Sequence, residues 1–166
     1  RLGIGIRTLV LPAEEYWDEK LKELAVLAAE NGTRIAEIHA GEQVVDGTGE
    51  QKMSLRCIGP EMGLSESGNA ASMVLQAEYG NFSMLLTGDV EGAGEKQLVK
   101  SGRLGKCRIL KAAHHGSKNS GTEEFLDAVE PQIVLISAGR GNRYGHPHEE
   151  TLEPVSYTHL TLPTIA

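Results

Sequence analysis

What is missing narrows this sequence first. Cysteine is down to two, Cys57 and Cys107. Both sit in apolar, strand-like stretches where a free thiol behaves as a small buried hydrophobe. Nothing in their spacing recommends a disulfide, and the redox compartment stays open. No run of about 18 apolar residues is there to span a bilayer, and Arg1-Leu2-Gly3 does not open a signal peptide. There is no excess of positive charge: 16 Lys and Arg against 23 Asp and Glu give a formal net charge of -7. That argues against a general nucleic-acid-binding surface, although an acidic protein can still process phosphodiesters where metal ions supply positive charge locally. The Walker A pattern Gly-x-x-x-x-Gly-Lys-Ser/Thr is absent, which disfavours a nucleotide-driven motor. The Gly-x-Ser-x-Gly elbow is absent around Ser117 and Ser120, which leaves a serine-hydrolase reading with His115 as base little support. Aromatics are few, at 4%.

What remains is ordinary for a globular α/β protein: 40% hydrophobic, 23% charged and 20 glycines. A chain of 166 residues suffices for one domain that buries about two thirds of its unfolded surface, and is too short for two. It lacks an initiator Met and starts in apparent mid-strand, so the expectation is a fragment.

Ile4 to Leu11 is β-rich and closed by Pro12. Glu14 to Glu30 reads as a helix, with Leu21, Leu24, Ala25, Leu27 and Ala28 at helical spacing and Asn31-Gly32 as its stop. Arg34 to Ala40 and Met53 to Ile58 read as strands separated by a Gly-rich connection containing Asp46-Gly47. Ser72 to Glu78 and Phe82 to Thr87, joined by Tyr79-Gly80-Asn81, predict a hairpin. A helix from about Gly94 to Lys100 follows, then a strand from Arg108 to Ala112. A helix over Thr122 to Val129 has Thr122 as N-cap, and Ile133 to Ser137 is an apolar strand. Pro147, with Glu149 and Glu150 behind it, starts a last helix that Pro154 stops. Strands alternating with helices mean a layered α/β fold. The segment 156–166, His159 included, has neither helical nor strand pattern and resembles a translated sequencing-adapter tail. It is set aside as non-native, leaving 1–155 as one partial domain.

Two places carry chemistry. Leu85-Leu86-Thr87-Gly88-Asp89 and Ile109-Leu110-Lys111-Ala112-Ala113-His114-His115-Gly116-Ser117 are apolar runs of strand length that each end in metal-capable side chains. An α/β sheet builds sites at its strand ends in this way, and a carboxylate with an imidazole suits metal-assisted hydrolysis. Asp89 could equally cap the next turn, and a histidine can be a packing residue. In an extended segment His114 and His115 would point to opposite sides, one binding and the other supporting. The loop from Arg140 to His148 concentrates two Arg, a Tyr and two His. Guanidinium forks there suit phosphate oxygens, and His146 could meet an anion at a helix N-terminus. The plainer alternative is a solvated turn whose His146 caps the helix.

Asn69-Ala70-Ala71-Ser72-Met73-Val74-Leu75, Tyr79-Gly80, Leu85 to Glu91, Leu110 to Ser120 and Asn142-Arg143-Tyr144-Gly145-His146-Pro147-His148 together resemble the second half of the metallo-β-lactamase-fold domain of the ComEC family of DNA-uptake competence proteins. The likeness is firm from about Asn69 to Leu152. It implies a four-layer αββα sandwich with one or two divalent metals at the strand ends. By position it implies Asp89 as metal-bridging carboxylate and His115 as metal ligand, with His114 beside it in the His-His-Gly-Ser pattern. Asn69, Ser117 and His146 match polar positions near the site. Ala70 departs, since the family commonly has a second Asn there.

The family's early His-x-Asp/His-x-Asp-His metal motif is nowhere in the chain, and His39-Ala40-Gly41-Glu42 cannot replace it. Asp89 and His115 alone should hold metal weakly, so the fragment is expected to be inactive by itself. The reading is thus a C-terminal part of a metal-dependent phosphodiesterase or nuclease domain, with Zn or Mn as metal. His114 and His146 stand as catalytic candidates, and Asn69, Ser117, Arg140 and Arg143 as phosphate-binding ones. The resemblance further implies a bacterial envelope protein with a membrane channel elsewhere in the gene, and single-stranded DNA as partner. Two rivals stay open: a stand-alone metallo-β-lactamase-fold hydrolase on another ester or phosphoester, and a catalytically silent phosphate-binding module.

Overall fold

A computed structural model describes residues 5–49 and 52–157; the rest of the tail, with His159, lies outside the described residues. The order is β1 (Thr8–Leu11), α1 (Glu19–Glu30), β2 (Arg34–Glu37), β3 (Gln43–Asp46), β4 (Met53–Gly59), β5 (Val74–Tyr79), β6 (Phe82–Leu86), α2 (Ala93–Ser101), β7 (Ile109–Lys111), α3 (Glu123–Val129), β8 (Ile133–Leu135) and α4 (Glu149–Tyr157). β1 and β2 form a parallel pair, and β3 to β8 form a six-stranded sheet in sequence order. That sheet is antiparallel from β3 to β6 and parallel from β6 to β8. The α/β expectation holds.

Register decides the two faces of the large sheet, because side chains alternate along each strand. The row Arg56, Gln76, Leu85, Leu110 and Val134 lies on one face. Its apolar members join Leu98 of α2, Phe125, Leu126 and Val129 of α3 and Val155 of α4 in the main core. The neighbouring row on the other face, Val44, Leu55, Ala77, Met84, Ile109 and Ile133, crosses all six strands. It is apolar as well, yet part of this face is bare: Phe82, Ile133 and Leu135 are 43%, 42% and 44% exposed.

The hairpin forms as expected, with Gly80-Asn81 between β5 and β6 and Gly80 at φ 54°. Three expectations need correction. α1 begins at Glu19, not Glu14: residues 14–16 make a separate 3-10 turn, and the Asp18 side chain caps the helix by accepting from Leu21 N at 2.8 Å. β3 lies within the stretch read as a Gly-rich connection; all four of its residues are exposed, so alternating burial left no signal. α4 begins at Glu149, with the His148 carbonyl accepting from Thr151 and Leu152, and continues through Pro154 to Tyr157. Pro154 is tolerated because the carbonyl it leaves without a donor belongs to the exposed Glu150. Buried Val155 then anchors the helix end.

Cys57 and Cys107 are both free and buried, and burial pushes each thiol up to about 11. Among the described residues no helix is long and apolar enough to cross a membrane. The parallel run β6, β7, β8 matters most for function, because strands of one direction release their following loops at one edge of the sheet.

Candidate functional site

The loop after β7 leaves the sheet through a turn that few sequences tolerate. His114 and His115 both occupy the left-handed region, at φ 43° and 57°, where a side chain with a Cβ costs roughly 1–2 kcal/mol. Surrounding hydrogen bonds hold the turn in place. His114 N donates to Gly88 O of the β6 loop at 3.1 Å, and Ser117 N to His114 O at 3.1 Å. Thr151 Oγ1 of α4 donates to Gly116 O at 3.1 Å and Ser117 O at 2.8 Å. Gly116, at φ 84°, lies so near the loop after β8 that a Cβ would come 2.7 Å from Pro147 Cβ.

This turn overrides the expectation of an extended segment with the two rings on opposite sides. The rings of His114 and His115 stand 6.4 Å apart, centre to centre. His146 joins them, 5.3 Å from His114 and 6.5 Å from His115, and His148 lies 4.8 Å from His146. Burial and then the neighbouring charges of His148, His114 and His115 keep the His146 ring below its ordinary pKa. Tyr144 stacks on His146 at 5.8 Å, and Arg143 lies over the Tyr144 ring at 4.7 Å.

Glu91 is the carboxylate that meets the imidazoles. Its Oε2 is 3.2 Å from His114 Nδ1 and accepts from Ser117 Oγ at 3.3 Å, while its Oε1 accepts from Asn69 Nδ2 at 3.0 Å. Burial pushes the Glu91 carboxyl up, but the hydrogen bonds from Asn69, His114 and Ser117 and the charge of His114 outweigh it and hold it below the ordinary carboxylate value. Sequence reasoning named Asn69, Ser117 and His114 but not Glu91 as a site residue. Its position two residues past Asp89 in the same turn was the available signal. His148, whose Nδ1 accepts from Lys118 N at 3.2 Å, was likewise seen only as part of the loop.

Other candidates stand apart from this network. Asp89 is half-buried and makes no hydrogen bond or ion pair with a described residue. Arg140 is exposed without a partner among the described residues, and Arg143 is tied to the hydroxyl of Tyr144. His146 does not cap α4, since the carbonyl of His148 occupies that place.

His115 is prepared to act as a ligand. Its Nδ1 sits 2.6 Å from the Ser137 carbonyl. A carbonyl only accepts, so Nδ1 carries the hydrogen and the neutral ring presents its Nε2 lone pair. The described residues nevertheless hold no group of three or more His, Cys, Asp or Glu side chains placed to bind one metal ion. Asp89 and His115 do not form a closed metal site among the described residues.

Comparison with known proteins then shows what the chain is homologous to. ComE operon protein 3 of Bacillus subtilis is 35% identical over 150 residues, 89% of this chain and 19% of that protein. Recombination protein 2 of Haemophilus influenzae is 35% identical over 103 residues, 62% of this chain and 13% of that protein. The chain is homologous to a segment of the ComEC-family competence proteins. Competence protein ComA of Neisseria gonorrhoeae agrees, at 40% identity over 82 residues, 49% of this chain and 12% of that protein. No family model matches the chain. These ComEC-family relatives are several times longer than the segment they share with it.

Proposed function

We propose that this chain is the C-terminal part of a ComEC-like, metal-dependent hydrolase domain of the phosphodiesterase or nuclease type that acts in DNA uptake. The observation that carries this reading is the convergence of His114, His115, His146 and His148 with Glu91 where the loops after β6, β7 and β8 meet. One relative is named a competence protein and another a recombination protein.

In this reading His115 Nε2 and the unpartnered carboxylate of Asp89 supply part of a divalent metal site, with Zn or Mn as the ion. The remaining ligands come from sequence beyond this chain. Bound metal supplies Lewis-acid activation of water or of a phosphoryl oxygen. The chain's own residues do the positioning: Glu91 orients His114, Ser117 and Asn69 fix Glu91, and Arg140 and Arg143 meet phosphate oxygens at the rim. The bare apolar sheet face supports a sandwich of the metallo-β-lactamase type, in which a second sheet covers the row from Val44 to Ile133. A membrane channel in the same longer protein and single-stranded DNA as its cargo belong to this proposal.

For the chain by itself, a phosphate-binding module without hydrolysis is the second reading, favoured by its incomplete ligand set. One experiment serves both. The domain is completed with upstream sequence from its own gene, and metal content and phosphodiester hydrolysis are measured for it and for Asp89→Ala and Arg143→Ala. Asp89→Ala is expected to lose metal and activity, while Arg143→Ala keeps metal and weakens phosphate binding. Equal metal in the completed domain and Asp89→Ala would overturn the role of Asp89.

A further inference from the structure

A cavity of about 820 Å³ opens between the segment after β1 and the turn at 68–73, whose Asn69 also reaches the histidine cluster. Its walls include Tyr16, Trp17, Leu21, Lys20, Met73 and Asn69. Trp17 is the single tryptophan of a chain poor in aromatics, and it is held rigidly: its indole Nε1 donates to Pro12 O at 2.7 Å. Tyr16 is fixed too, its hydroxyl donating to Glu61 O at 2.5 Å and accepting from Leu64 N at 3.2 Å. With their polar edges satisfied, the rings are left to line the cavity with apolar surface. Asn69 stands on both sides of the boundary. It lines this cavity and also reaches Glu91 at 3.0 Å and His114 at 3.3 Å.

We propose that this cavity is a base-binding subsite, in which an unpaired nucleobase of the strand whose phosphodiester lies at the histidine cluster stacks on Trp17. The inference rests on the phosphodiester reading above and adds the part of the substrate that reading leaves unassigned. A nucleobase fits what is present: a flat apolar face to stack, polar edges for Lys20 and Asn69 to meet, and a volume within the range of small-ligand clefts. Stacking on a fixed aromatic side chain is tolerant of sequence, because every base has a π-face. That tolerance suits a chain whose formal net charge is -7.

Because Trp17 is alone in the chain, its emission reports on this cavity directly. A short oligothymidylate is expected to quench it saturably, whereas the same strand made of abasic sites, with phosphates and sugars intact, leaves it unchanged. Trp17→Ala should weaken oligothymidylate binding, followed by anisotropy of an end label, about tenfold. Trp17→Phe, which keeps an aromatic face and the packing, should lose much less. No quenching, or equal quenching by the abasic strand, overturns the subsite. Its failure is distinguishable from failure of the phosphodiester reading: the latter is judged by whether the labelled abasic strand binds the chain and loses affinity in Arg143→Ala.

Discussion

At the scale of single residues, the site depends on backbone conformations that side chains resist. Gly116 is the clearest case, since its left-handed φ and its contact with Pro147 exclude a Cβ for two separate reasons. Gly116→Ala is expected to destabilise the chain by about 2–4 kcal/mol, from left-handed strain together with overpacking, and the urea midpoint should report it. It should also dislodge the loop carrying His146 and His148, seen as loss of their ring contacts in NMR spectra. Much of this site was legible in sequence because His-His-Gly-Ser after an apolar run is a local signal. Glu91 was not, because its role comes from meeting Asn69 and Ser117, which lie 22 and 26 positions away. The strained His114 and His115 turn was equally hidden, since the modest preference of histidine for positive φ does not announce two such residues in succession.

At the scale of elements, α2 organises the loops around its first turn. Gly92 N donates to Asn119 O at 3.2 Å. The carboxylate of Glu95, 2% exposed, accepts from Gly121 N at 2.6 Å and Thr122 N at 2.9 Å. Gly94 rests on the Ala70 carbonyl, where a Cβ would collide with backbone. At the other end, Gly102 has a left-handed φ of 67° and open space around it. The two glycines therefore make a matched test. Gly94→Ala should cost about 3 kcal/mol by forcing helix and turn apart, whereas Gly102→Ala should cost about 1–2 kcal/mol from strain alone. Thermal melts of both variants measure the difference, and equal losses would mean that α2 is not fixed through Ala70. Sequence reading placed α2, α3 and the hairpin well, because caps, turns and periodicity act over a few residues. It missed β3, which is exposed on both sides, and began α1 too early, because Glu14 to Tyr16 forms one turn that Asp18 separates from the helix.

At the scale of the whole molecule, the large sheet has one face under helices and the other partly bare. An apolar sheet face in water promotes association. Replacing Ile133 and Leu135 together by Ser should lower binding of an apolar dye and reduce light scattering of the isolated chain. In a completed domain the same pair should be strongly destabilising, since each side chain would then leave a covered site. Equal tolerance in both settings would count against a second sheet on that face. The two-stranded sheet has another consequence. Among the described residues β1 and β2 pair only with each other, and α1 buries little upon them beyond Ala25. A parallel pair closed through a connecting helix and backed so thinly opens at smaller free-energy cost than the six-stranded sheet does. Amide protons of Thr8–Leu11 and Arg34–Glu37 should therefore trade with solvent sooner than those of Val74–Tyr79, so that the strand pair opens while the sheet that positions the histidines stays closed.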